Sequence, residues 1–409
     1  MAKSETFVIV GAGLAGAKGA EALREQGFDG RIVLLGAERR RPYQRPPLSK
    51  GYLMGTEDFE VAHVHRPNWY AEHDVELRTR TEVTDLDRAA HRLALADGSA
   101  LDYDKLLLTT GARPRTLPVP GAGTALHLRT GLDSERLRAT LAQVRRLVVV
   151  GAGWLGLEIA AAARTNGVRV SVVDIAELPM QPALGREVGE VFARLHESNG
   201  VDFHLATGVE EITADGGRAT GVRLSGGLRL AADAVVVAVG VEPETGLAER
   251  AGLRVDDGIV VDSALRTEDP DVVAAGDVAN AFHPVLGRWL RVEHWATARD
   301  QPATAAATML GGAGRYAELP YAFTDQYDLG MEYLGHAEPG DYDQVLFRGD
   351  VDRQEFIAFW LDNGRVLAGM NVNTPDVGHQ IGTLISSGAM VDTARLADPD
   401  VRLDEFIAR

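Results

Sequence analysis

Two short apolar runs in this chain each break at a glycine-rich turn of the same spacing. Phe7-Val8-Ile9-Val10 leads into Gly11-Ala12-Gly13-Leu14-Ala15-Gly16, and Leu147-Val148-Val149-Val150 leads into Gly151-Ala152-Gly153-Trp154-Leu155-Gly156. Each turn opens an alanine-rich stretch of helical character. A second apolar run and a carboxylate follow: Arg31-Ile32-Val33-Leu34-Leu35-Gly36-Ala37-Glu38 in the first copy, Val168-Arg169-Val170-Ser171-Val172-Val173-Asp174 in the second. In this pattern the first glycine permits a tight bend, the second lets backbone approach a pyrophosphate, and the third lets helix and strand pack closely. The helix N-terminus then faces the phosphate charge, and an acid about 20 residues on accepts hydrogen bonds from ribose hydroxyls. One such turn is a weak signal. Two, each in a strand–turn–helix–strand–acid context, predict an α/β chain with two Rossmann-like dinucleotide-binding domains. Two nucleotide sites in one chain point to electron passage from one cofactor to the other.

Composition narrows the chemistry. At 409 residues the chain exceeds one core and fits two or three domains. It contains no cysteine, which removes disulfides, thiolate metal sites and iron–sulfur ligation, together with every mechanism that passes electrons through a thiol. No metal site is expected. A net charge of −17 speaks against the phosphate backbone of nucleic acid as a partner. The first apolar run is too short for a signal core or a membrane span, so a soluble, cytoplasmic protein without membrane contact is expected. The charge is uneven: residues 320–409 carry 16 acids against 6 Lys and Arg, while Arg39, Arg40, Arg41 and Arg45 crowd into seven positions.

Residues 5–36 read as one βαβ unit. Residues 37–60 are irregular and proline-rich, too long for an ordinary connection and therefore expected to be functional. A hairpin signal stands at Asp97-Gly98, and residues 106–111 read as a buried strand. The second βαβ unit spans 146–174. A helix over 184–199, strands and glycine turns over 201–230, and a buried strand over 234–240 follow. Residues 271–277 read as a further buried strand, with a helix over 296–310. Residues 320–409 alternate short strands and turns before a helical tail. Strand ends at Thr110-Gly111 and Val239-Gly240 are candidate points of passage between domains. In two-nucleotide flavoproteins the N-terminal copy usually holds FAD and the inserted copy the pyridine nucleotide. Glu38 and Asp174 are then the ribose acids. The Asp174 carboxylate would repel a 2′-phosphate, and no arginine follows it in residues 175–179, so NADH is favoured over NADPH. Asp277 suits either a polyol hydroxyl or a helix N-cap.

Several motifs occur in a fixed order: Arg41-Pro42-Tyr43-Gln44-Arg45-Pro46-Pro47-Leu48-Ser49-Lys50, Thr109-Thr110-Gly111-Ala112-Arg113-Pro114-Arg115, Gly151 to Glu158, Ala275-Gly276-Asp277-Val278-Ala279, Arg291-Val292-Glu293-His294-Trp295 and Thr324-Asp325-Gln326-Tyr327-Asp328. Together they resemble the NADH-dependent, FAD-containing ferredoxin reductases that serve oxygenases, over nearly the whole chain. The resemblance implies a glutathione-reductase-like architecture. Residues 1–113 and 241–319 would form an FAD domain and 114–240 an NAD domain, with a C-terminal α+β domain over 320–409. Carried over by position, Gly11, Gly13, Ala15, Gly16, Glu38, Arg45, Lys50, Val83, Thr110, Gly111, Arg129, Asp277, Glu293 and Trp295 fall on the FAD side. Gly151, Gly153, Leu155, Gly156, Glu158, Asp174 and Gly240 fall on the NAD side. Lys50 and Glu158 would meet near the reacting rings as the catalytic pair; without its motif Lys50 reads as a surface lysine.

Three positions depart from the family pattern. The usual Asp-Glu after the second strand is Ala37-Glu38, the usual Ala-Thr-Gly is Thr109-Thr110-Gly111, and the usual tryptophan beside the flavin is Phe323. The implied partner is a ferredoxin, an acidic iron–sulfur protein, with a terminal oxygenase behind it. Alternatives are a rubredoxin reductase, or an apoptosis-inducing-factor-like NADH-binding redox protein without ferredoxin turnover. Arg39, Arg40 and Arg41 read either as a steering patch for an acidic partner or as a solvated loop. His63 and His65 read as surface residues without a role. The purified protein is expected to be yellow and to bleach faster with NADH than with NADPH; equal rates would overturn the argument from Asp174.

Overall fold

The two glycine turns fold alike. In the computed structural model, which describes residues 5–407, Gly11 has φ +112° and Gly151 φ +109°, a region that side chains disfavour. Gly13 and Gly153 then cap helices Leu14–Glu25 and Trp154–Thr165, of 12 residues each, at φ −86° and −84°. A Cβ on Gly16 would collide with the Gly11 carbonyl, and one on Gly156 with the Gly151 carbonyl. Those are the close approaches the spacing predicts.

The chain forms two compact units. The first comprises the residues up to Arg45, Glu60–Arg113 and Val241–Glu318. Its centre is a parallel sheet in the order Val272–Ala274, Lys105–Leu108, Thr6–Val10, Arg31–Leu35, Val75–Arg78, with Val8 opposite both Val33 and Leu106. Phe7, Val8 and Ile9 are buried, as are Ile32 to Leu35. They read as unbroken apolar runs because both faces of a parallel sheet are covered. Helix Trp295–Met309 packs against Leu14–Glu25, and Gln26 Nε2 donates to the Ala303 carbonyl at 2.9 Å. Arg92–Leu95 and Ala100–Asp102 pair antiparallel across the Asp97-Gly98 turn. A hairpin of Ala279–His283 and Arg288–Leu290 lies between Asp277 and the helix. Its strands are short and no Asn-Gly or Asp-Gly marks its turn, so periodicity does not disclose it.

The second unit comprises Pro46–Phe59, Pro114–Gly240 and the residues from Leu319 on. Its parallel sheet runs Val201–His204, Arg169–Val173, Arg146–Val150, Ala234–Val237. The helix expected over 184–199 begins earlier, at Gln181, because Pro182 suits a first turn; Gly185 (φ +81°) interrupts it. The C-terminal section is an antiparallel sheet in the order Tyr321–Gln326, Leu329–Gly335, Arg365–Val372, Glu355–Asp362, Gln344–Asp350. Phe356, Phe359 and Trp360 fill its centre, and helix Gly378–Ser387 covers it through Ile381 and Leu384. Pro46–Phe59, contiguous in sequence with the first unit, packs in the second: Leu48 is buried, and its carbonyl accepts from buried Ser134 Oγ at 2.7 Å. Replacing Gly156 by alanine is expected to cost about 2–3 kcal/mol through backbone displacement, read as a lowered melting temperature.

Candidate functional site

Each glycine turn leaves an opening at its second glycine. A Cβ built on Gly13 or Gly153 meets no atom within 4 Å, and no side chain caps either helix. The first-turn amides therefore face open space with the positive end of the helix dipole behind them. This cradle fits a dinucleotide pyrophosphate in both units.

The acids that follow the two βαβ units, Asp174 and Glu38, are held differently. Asp174 Oδ2 accepts the Ala152 N–H at 2.6 Å, and Oδ1 accepts the Ala176 N–H at 2.8 Å. Asp174 thus also closes its own turn, and each oxygen keeps a second acceptor site for a ribose hydroxyl. Glu38 Oε2 instead accepts from Tyr43 Oη at 2.5 Å, with Arg45 at 3.9 Å from its other oxygen. Tyr43, quoted above only as part of a motif, orients the first-unit acid.

Lys50 and Glu158 come together in the second unit. Pro46 and Pro47 open a 3-10 turn, Pro46–Ser49, for which their ring-fixed φ is suited. Leu48 anchors it in the core, and Ser49 and Lys50 then reach Glu158 on the second-turn helix. Lys50 Nζ donates to Glu158 Oε1, Ser49 Oγ to Oε2 at 2.5 Å, and Thr324 Oγ1 to Oε1 at 2.6 Å. Glu158 is 9% exposed. A carboxylate buried to that degree requires such partners, and removing one partner of a buried ion pair costs about 3–5 kcal/mol. The ammonium also lies 5.5 Å from the Phe323 ring centroid. Ser49 and Thr324 were legible only as motif members. Their role needs Glu158 as a common target, which no spacing announces.

The remaining candidates divide between the units. In the first, Ala15 is buried beside Gly276, and Thr110 Oγ1 donates to the Glu244 carbonyl at 2.7 Å beside Gly111 (φ +76°). Asp277 lies in the turn between Val272–Ala274 and Ala279–His283, and its carbonyl accepts from Arg291 at 3.5 Å. Arg291 also pairs with Glu293. Trp295 donates to Gln44 Oε1 at 2.8 Å beneath Arg299. Val83 opens an antiparallel strand in a different sheet from the turn. In the second unit Arg129 precedes the Thr130-capped helix Gly131–Leu141, Leu155 lies in the first turn of the glycine-turn helix, and Gly240 (φ +93°) lies beside Arg115.

Two expectations are corrected. His63 and His65 are not surface residues: their side chains are 8% and 6% exposed, with Glu60 at 3.8 Å and Glu21 at 3.9 Å. His65 stacks on Trp69 at 3.8 Å between centroids, and burial lowers both pKa values. For His65 the packing comes from an aromatic four residues on. Nor is the arginine cluster one exposed patch. Arg41 pairs with Glu60 and donates from Nε to the His65 carbonyl at 3.3 Å, so it braces the loop; of the run, Arg39 is exposed and Arg40 half-buried.

Two nucleotide cradles in two parallel-sheet units define a pyridine-nucleotide-linked oxidoreductase. The chain belongs to the pyridine nucleotide-disulphide oxidoreductase family, whose model matches residues 5–302, and a reductase C-terminal model matches 321–407. It is 44% identical to the ferredoxin–NAD(+) reductase component of the anthranilate 1,2-dioxygenase system of Burkholderia cepacia, covering 99% of this chain and 100% of that one. It is 40% identical to rhodocoxin reductase of Rhodococcus erythropolis, covering 99% and 95%. Its fold matches the crystal structure of the covalent putidaredoxin reductase–putidaredoxin complex with a TM-score of 0.94, at 37% identity and 98% coverage of both chains. Lacking cysteine, this member has no thiol of its own for disulphide chemistry. Among the described residues no helix is long and apolar enough to cross a membrane, and no side-chain cluster suits a metal ion.

Gly153→Ala is expected to raise the half-saturating NADH concentration while leaving the melting temperature nearly unchanged, the reverse of Gly156→Ala. Asp174→Ala should raise it about tenfold with FAD content intact, measured by the NADH dependence of flavin bleaching. A stability test concerns His196, which is fully buried. Burial pushes its pKa from 6.5 down to about 4, so the unfolded chain binds the extra proton between these values. Stability is then expected to fall as pH drops from 6.5 toward 4, and His196→Gln should flatten that slope in melting curves.

Proposed function

We propose that this chain takes electrons from NADH onto FAD and passes them singly to a ferredoxin that feeds an oxygenase. The observation that carries the reading is the pair of like-folded nucleotide cradles in a chain without cysteine. Electrons arriving from a pyridine nucleotide have no thiol of the chain's own to leave through, so they leave for an external acceptor. The names of the relatives supply the class of that acceptor. FAD, when bound, accepts two electrons together and releases them one at a time.

The residues divide the work. The first-turn amides after Gly13 hold the FAD pyrophosphate, with Glu38 and Asp277 taking polyol and ribose hydroxyls. Those after Gly153 hold NADH, with Asp174 rejecting a 2′-phosphate. Lys50 offers its ammonium to negative charge gained on the flavin, and Glu158 holds that ammonium in place and moderates its field. Phe323 covers the lysine with an apolar face. The protein works in the cytoplasm, where NADH is regenerated. An acidic iron–sulfur partner is drawn by Arg39 and, secondarily, Arg40, since Arg41 serves the loop.

The test is NADH-driven reduction of a panel of 2Fe–2S and 3Fe–4S ferredoxins and rubredoxin. A 2Fe–2S ferredoxin is expected to turn over fastest. Faster rubredoxin reduction, or bleaching without turnover on any acceptor, would overturn the reading. Arg39→Glu should slow ferredoxin reduction several-fold at low salt and little at high salt, where screening removes the attraction.

A further inference from the structure

The Thr324-Asp325-Gln326-Tyr327-Asp328 motif carries a feature the electron-transfer reading leaves unused. On strand Tyr321–Gln326, Thr324 and Gln326 alternate onto one face and are both fully buried, while Asp325 points to solvent, as a period of two requires. Gln326 faces His196, on helix Gln181–Ser198 of the same unit. His196 Nε2 lies 2.7 Å from Gln326 Oε1, Gln326 Nε2 is 3.1 Å from Thr324 Oγ1, and Thr324 Oγ1 is 2.6 Å from Glu158 Oε1. At the far end Tyr327 Oη lies 3.4 Å from His196 Nδ1.

These contacts have one consistent direction. An amide oxygen only accepts, so His196 must carry its proton on Nε2 and leave Nδ1 bare for the Tyr327 hydroxyl. The amide nitrogen then donates to Thr324, which frees the single threonine proton for Glu158. With the opposite imidazole tautomer the amide would turn over, its oxygen would take the threonine proton, and Glu158 would lose a donor. The chain Tyr327–His196–Gln326–Thr324 thus points every proton toward the carboxylate, an arrangement in which each bond polarises the next.

We propose that Gln326 and His196 are positioning residues that, through the Thr324 hydroxyl, set how much of the Glu158 charge is left to pair with Lys50. The inference rests on the reading of Glu158 as the residue that governs Lys50. While Thr324 shares Oε1, the lysine keeps more of its positive field. When that donor is withdrawn, Oε1 is left to the ammonium while Ser49 keeps Oε2, and the carboxylate neutralises the lysine further. The flavin potential should then move negative and NADH-driven bleaching should slow.

The experiment uses the FAD-loaded protein with Thr324→Val, Thr324→Ser, Gln326→Glu and Glu158→Gln, and the double variant Thr324→Val with Glu158→Gln. Thr324→Val and Gln326→Glu are each expected to slow bleaching at saturating NADH about tenfold, with the half-saturating concentration unchanged and the midpoint potential lowered. Thr324→Ser, which keeps the hydroxyl, should stay within about twofold of the parent, tying the loss in Thr324→Val to the hydroxyl. In the Glu158→Gln background, Thr324→Val should add nothing, because both act on one carboxylate. Nitrogen NMR of His196, assigned by its loss in His196→Gln, reads the relay without turnover and should show the proton on Nε2. A proton on Nδ1, or Thr324→Val and Gln326→Glu matching the parent while Glu158→Gln does not, overturns the relay and leaves the role of Glu158 standing. A Glu158→Gln variant that bleaches like the parent overturns the underlying reading instead.

Discussion

The second unit is organised around one buried negative charge. Glu158 sits on the helix that follows the second glycine turn, and its two oxygens take hydrogen bonds from Ser49 and Lys50 on one segment and from Thr324 on another. A carboxylate removed from water without partners would cost several kcal/mol. The three segments converge on it, and separating them would carry that cost. The contacts hold Pro46–Phe59 in the second unit and bring the first strand of the C-terminal sheet against the helix after the second glycine turn. The group on which the segments converge is also the one that holds Lys50.

The two glycine turns show how far identical local geometry can serve different ends. Their φ values agree within a few degrees and their helices have equal length, since both obey the same two rules: a left-handed first glycine and a third glycine against a carbonyl. What surrounds them differs. Asp174 bonds back to the turn it follows, so the placing of the acid and the shape of the loop are coupled in the second unit. Glu38 is steadied by a tyrosine from the proline-rich segment, which leaves its turn independent of it.

Much of this was legible in the sequence because the physics involved is local. Strand–turn–helix–strand order follows from apolar runs and glycine spacing within about 30 residues, and the NADH preference follows from one acid with no arginine after it. The residues that escaped notice are those whose meaning depends on distant partners. His65 looked exposed until Trp69 stacked on it, Arg41 read as a steering cation or part of a solvated loop until Glu60 claimed it, and His196 and Gln326 had no visible connection across 130 positions. The hairpin of Ala279–His283 and Arg288–Leu290 escaped for another reason: three to five residues are too few for periodicity to register.

By itself the sequence determined that the chain binds two dinucleotides and moves electrons without a thiol. Glycine spacing, an acid after a strand and the absence of cysteine are properties of single segments or of composition, and they hold however the rest of the chain is arranged. Only the tertiary structure decided which charges are buried and which donors each one meets. Lys50 became the partner of a buried carboxylate instead of a solvated cation, and Thr324 the donor whose one proton is directed at it. Burial and hydrogen-bond direction depend on surfaces brought together from remote parts of the chain, and no pattern within one segment encodes them.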